Sequence, residues 1–155
     1  MQVRTIAAFL SLALAPAIAG AASTPPPAPI LKLANAVIQG TNTDDASSFV
    51  GLFTDDAVII DENPPFMWRG ADAGVAWWHV VDAVTKKAKL TNLKAINVRL
   101  GEFRQSATDA YMVQAMTISG IADGKPFAES GTLTYTFHNA GGSWLISGMV
   151  WTTKP

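Results

Sequence analysis

The chain has 155 residues, with 11 basic and 12 acidic side chains, a formal net charge of −1 and no cysteine. That length is one domain's worth. The missing cysteines exclude a disulfide-stapled scaffold, and the near-neutral charge leaves no electrostatic footprint for nucleic acid. The only basic cluster, Lys86, Lys87 and Lys89, falls near a helix C-terminus, where cations favour the macrodipole.

In chain order, Arg4 precedes an uncharged, mostly apolar run from Ile6 to Ala15, then Pro16 and a string of small residues from Ala17 to Ala22. This is the pattern of a secretory signal peptide over residues 1–22, cleaved after about Ala19 to Ala22. The run falls short of the ~20 residues of a membrane anchor, so no membrane association is expected after cleavage. No cysteine follows it, which excludes a lipoprotein. The exported chain, periplasmic or secreted, keeps about 130 residues, enough to bury roughly two-thirds of its unfolded surface.

Residues 23–29, Ser-Thr-Pro-Pro-Pro-Ala-Pro, read as a stiff tether, and residues 30–155 as the folded domain. Ile30, Leu31, Leu33, Ala34, Val37 and Ile38 recur at helical spacing until Gly40. Thr43 is a suitable N-cap for a second short helix burying Phe49, Leu52 and Phe53. Ala57 to Asp61 is a short apolar strand ending in a carboxylate, and Pro64-Pro65 makes 62–69 irregular. A third helix runs from about Ala71 to Lys87 and buries Val75, Trp77, Trp78, Val81 and Val84.

Four longer strands follow, at 93–104, 110–119, 126–138 and 143–152, separated by turn-forming stretches that make an antiparallel meander. Period-2 alternation in 126–138 sends Phe127, Glu129, Gly131, Leu133, Tyr135 and Phe137 toward the helices and a Thr-rich set outward. Glu129 is the one acid on that inner face. Gly131 and Gly148 mark expected bends in long strands. The class is α+β: about three N-terminal helices packed on a strongly bent, mainly antiparallel sheet that encloses a cone.

Several pieces in this order carry a family likeness: Leu52-Phe53-Thr54-Asp55-Asp56-Ala57, the strand to Asp61, Trp68-Arg69-Gly70, and Gly142-Ser143-Trp144-Leu145-Ile146. Over about 30–153 the chain resembles the NTF2-like superfamily, in its SnoaL-like and ketosteroid-isomerase-like branch. The resemblance implies an NTF2-like cone, and it aligns Asp61 with the general-base aspartate of ketosteroid isomerase. That enzyme's tyrosine falls near Val37, and its oxyanion acid near Thr134 or Tyr135. Such a donor can be worth about 3 kcal/mol, so steroid isomerisation does not carry over.

For chemistry, Asp61 is either a general base covered by Phe66, Met67 and Trp68, with Trp68 as lid, or a strand-ending acid paired with Arg69. Glu62 points the other way, toward solvent. Glu129 is a second acid/base group or a rim residue satisfied by a cation. His79 and Asp82 stand at i, i+3, as a helix-surface pair or a pocket pair. Tyr111 and Tyr135 take core-side registers, where they line the pocket or pack with a bonded hydroxyl. Trp77, Trp78, Trp144 and Trp151 are mostly core, with one or two of them expected to line a cavity, Trp78 and Trp151 being the candidates. His138 lies on the outer register. Two histidines and no cysteine give no zinc-ligand spacing, and no cofactor motif is present, so no metal or cofactor is expected. The functional expectation is an exported protein that binds a small apolar or aromatic molecule, with or without cofactor-free acid/base turnover. The competing class is a dimerisation or protein-interaction module acting through the Thr-rich face, and a homodimer is expected.

Overall fold

A computed structural model describes residues 25–154, so the expected signal segment lies outside the described residues. Helix α1 spans Ala28–Thr43, strand β1 Phe53–Ile60, β2 Met67–Arg69, helix α2 Ala73–Lys87, β3 Leu90–Gln105, β4 Asp109–Ala122, β5 Lys125–Ala140 and β6 Ser143–Thr153. The six strands form one sheet in the order β2-β1-β6-β5-β4-β3. Every pairing is antiparallel except β1 with β6, which is parallel. Both helices pack on one face of this bent sheet, giving the expected α+β cone.

Among the described residues two α-helices are present, not three. The second expected helix is a single 3-10 turn, Ala46–Phe49, capped by Asp45, whose carboxylate accepts from the Ser47 N–H at 2.9 Å. With β1 beginning at Phe53, too little chain remains for a longer helix. Nor does Gly40 end α1. The helix runs through it to Thr43, and the glycine instead serves close packing, since a Cβ on residue 40 would stand 2.9 Å from the Phe49 ring. The tether is shorter than expected, since α1 starts at Ala28.

The core is built from the apolar face of each element: Ile30, Ala34 and Val37 from α1, Trp77 and Trp78 from α2, and Phe49 from the 3-10 turn. Phe49 stacks on Trp78 with centroids 5.6 Å apart and meets Trp77 edge-on at 5.7 Å. Val84, expected inside, is exposed. From the sheet, β5 buries Gly131, Leu133, Tyr135 and Phe137, the alternation read from the sequence. At the bend between β5 and β6 the register shifts after Thr136–Gly148. Asn42, in the last turn of α1, bonds both backbone groups of Ala95, with Nδ2 to the carbonyl at 2.9 Å and Oδ1 from the N–H at 2.6 Å. This clamp fixes the helix against β3 and closes one side of the cone.

Candidate functional site

A cavity of ≈ 180 Å³ opens between α1, α2 and the inner face of the sheet. Val37, Trp78, Leu93, Met116, Leu133 and Trp151 make most of its apolar wall. For scale, an apolar cavity of about 150 Å³ admits benzene, so one or two rings fit here. Three carboxylates, Asp61, Glu62 and Glu129, face it, and no lysine, arginine or histidine is among its described lining residues.

Asp61 follows the last residue of β1 and is only 6% exposed. Its Oδ1 accepts from the Asn63 backbone N–H at 2.9 Å and from Asn63 Nδ2 at 2.8 Å. Its Oδ2 accepts from Trp77 Nε1 at 3.0 Å. Three donors against about four lone-pair positions leave Oδ2 with one position free, on an acid that lines the cavity. Asp61 has no ion pair with Arg69. The strand-ending reading is half right: an Asx turn does follow, but its acid faces the cavity.

Glu129 lies on the inner face of β5, opposite Ile118, and is part-buried. Burial pushes its carboxyl above the ordinary carboxylate range, as do the neighbouring charges of Glu62 and, more weakly, Asp61, while the Trp151 indole pulls the other way. No cation satisfies it in the described residues. Glu62 is exposed, as expected, yet it stands at the cavity mouth and accepts from Thr153 Oγ1 at 2.7 Å.

Of the expected pocket residues, Trp78 and Trp151 line the cavity. The others do not. Trp68 is 7% exposed and fixed in edge strand β2 opposite Ile59, so it is a core residue rather than a lid. Phe66 and Met67 are exposed beside it. Asp82 pairs with Lys86 on the surface of α2, and His79 is exposed. Tyr111 is 38% exposed on the outer face, because β4 buries the opposite parity, Ala110, Met112, Gln114 and Met116. Tyr135 is fully buried but outside the cavity wall, and its hydroxyl has no partner. His138 is on the outer face as read, bonded to Asp109 at 2.9 Å.

Asn63 escaped the sequence reading, and so did the role of Trp77, which reads only as one of four mainly core tryptophans although its indole N–H needs a partner when buried. Asn63, two residues after Asp61, carries a legible signal in the Asx-turn pattern Asp-Glu-Asn-Pro. Among the described residues no cluster of histidine, aspartate or glutamate is placed to hold a metal ion, and no helix is long and apolar enough to cross a membrane.

The profile of the SnoaL-like domain matches residues 30–150. No curated protein matches the sequence. Among solved structures, the hexachlorocyclohexane dehydrochlorinase LinA-type3 from Novosphingobium barchaimii LL02 superposes with a TM-score of 0.70 at 14% identity, covering 83% of this chain and 86% of that one. A protein with a cystatin-like fold from Caulobacter vibrioides gives 0.64 at 23% identity, over 81% and 87% of the two chains. An NTF2-like superfamily protein from Salmonella enterica serovar Typhimurium LT2 gives 0.64 at 11%, over 81% and 89%. The fold is NTF2-like.

Proposed function

We propose that this chain, which belongs to the SnoaL-like domain family, binds a small apolar or aromatic molecule of one or two rings in its cone and turns it over by cofactor-free acid/base chemistry. The observation that carries the reading is a buried carboxylate, Asp61, held by fixed donors in the wall of an otherwise apolar cavity. Asp61 Oδ2 takes a proton from an activated C–H of the ligand. Glu129, whose environment favours its protonated form, supplies or receives the second proton. Two acids whose surroundings assign them different tasks suit an isomerisation, a dehydration or another elimination. A dehydrochlorinase of the same fold fits that class, since loss of hydrogen chloride also removes a proton from carbon. The acidic, cation-free wall disfavours anionic ligands.

Export by the N-terminal segment and self-association belong to the same proposal. A second reading, an interaction module, draws on Ile96 and Val98, exposed on β3 beside the Thr-rich outer face. To decide between them, the protein is screened by thermal shift against aromatic ketones, enols and lactones, and each hit is assayed for turnover with Asp61→Asn. Loss of a general base costs about 10²–10⁴-fold in rate, with ligand affinity changed by only a few-fold. A rate unaffected by the substitution removes Asp61 from the chemistry, and no ligand across the panel shifts the weight to the outer face.

A further inference from the structure

We propose that Gln114 and Tyr135 form a neutral polar subsite one layer beneath the cavity floor, which receives an amide- or lactam-like group of the bound molecule. The proposal rests on the cavity reading above and adds the chemistry of the ligand's inner end.

Gln114 is 0% exposed, and neither its Oε1 nor its Nε2 has a partner; Tyr135 is 0% exposed with an unpartnered hydroxyl. A leucine or methionine would fill the Gln114 position without stranding two polar atoms, and stranding them is costly in a core. Both side chains belong to the inner face of the sheet. On β4 the buried parity is Met112, Gln114, Met116, and on β5 it is Leu133, Tyr135, Phe137.

The register sets Gln114 opposite Leu133 and Tyr135 opposite Met112. Gln114 and Tyr135 are thus diagonal neighbours, about 7 Å apart at Cβ, a span that one small polar group can bridge. Met116 and Leu133 are each two residues nearer the mouth on the same strands, and both line the cavity. The polar pair therefore lies directly behind the floor. Methionine is flexible enough to swing aside and let a ligand through.

Together the pair offers an amide donor, an amide acceptor and a phenol donor. A lactam matches this set: its carbonyl oxygen accepts from Gln114 Nε2 and Tyr135 Oη, while its N–H donates to Gln114 Oε1. Burial pushes the Tyr135 hydroxyl well above the ordinary tyrosine range, so it stays a neutral donor. No charged side chain lies on this stretch of the two inner faces to neutralise a carboxylate. The group received is neutral.

The test uses 2-quinolinone, a bicyclic lactam, and naphthalene, which has the same outline without polar atoms. Each is titrated calorimetrically into the wild-type protein, Gln114→Leu and Tyr135→Phe, alongside a melting curve of each unliganded protein. The expected result is a lactam preference of tenfold or more in the wild type. Gln114→Leu should erase it by weakening 2-quinolinone at least tenfold and naphthalene less than twofold, with an unliganded Tm unchanged or raised. If Gln114→Leu does not fold, Gln114→Met and Tyr135→Phe carry the comparison. A lowered Tm with both probes weakened alike means that a buried water satisfies the pair structurally, and overturns the subsite. Naphthalene and lactam binding equally, in wild type and variants, also overturns it but leaves the cavity reading standing. Binding of neither probe overturns both.

Discussion

Replacing Trp77 by phenylalanine tests whether Asp61 is held as its geometry indicates. The indole is 7% exposed, its Nε1 donates to Asp61 Oδ2 at 3.0 Å, and its rings meet Phe49 and Trp78 at 5.7 and 5.9 Å. A hydrogen bond to a charged group is worth about 1.5–3 kcal/mol. The smaller ring forfeits about 1 kcal/mol more of packing. Trp77→Phe should then lose about 2.5–4 kcal/mol, or about 8–15 °C in Tm for a domain of this size. Packing alone can imitate that loss, so the decisive quantity is the coupling with Asp61→Ala. Urea unfolding of the wild type, both single variants and the double variant gives it directly. A coupling of about 1.5–3 kcal/mol is expected. A value below about 0.5 kcal/mol would mean that the indole merely packs, and would refute the claim that α2 positions this carboxylate.

The pH dependence of Glu129 has a definite sign. A carboxyl raised above its ordinary 4.5 by burial and by Glu62 contributes stability below that value, which is lost as pH rises through the folded-state value. The stability difference between wild type and Glu129→Gln should therefore favour wild type most near the acid end and decline as pH rises. Urea melts from acid to neutral pH measure it, and a difference independent of pH contradicts the assigned environment. Gly131→Ala places a Cβ 2.5 Å from the Thr152 carbonyl oxygen and 2.6 Å from the Trp151 ring. Backbone cannot yield there, so a cost of about 1–3 kcal/mol is expected, together with weaker ligand binding because Trp151 is cavity wall. An unchanged urea midpoint would show that the sheet relaxes at this bend.

Local patterns carried much of the architecture. Alternation along 126–138 names the inner face of β5 correctly, and the turn residues set the meander. The parallel pairing of β1 with β6 left no such trace, because it joins Phe53 to Ile146 and nothing near either residue encodes the other. Trp68 reads as a lid when judged by its place after Pro64-Pro65. Its neighbours decide otherwise: Met67 and Arg69 are exposed, Trp68 is buried, and that alternation is a short edge strand. For β4 the error is one of parity. Tyr111 is expected on a core-side register, whereas the buried set is Ala110, Met112, Gln114 and Met116, which includes a glutamine. That glutamine is also the residue whose buried amide lacks a partner.

That coincidence bears on how the site is to be read. Inward positions on these strands are apolar with few departures, and the departures are Thr54 on β1, Asp61 just after it, Gln114 on β4, and Glu129 and Tyr135 on β5. Each costs stability that an apolar residue would not, so each conflicts locally with the pattern that builds the fold, and such conflicts concentrate at functional sites. They are also segregated. The acids Asp61 and Glu129 face the cavity, whereas the neutral Thr54, Gln114 and Tyr135 are not among its lining residues. A core that tolerated polar residues at random would not sort these strand positions by charge in this way. A ligand with a proton to lose near the acids and a neutral polar group at its buried end would meet both sets at once.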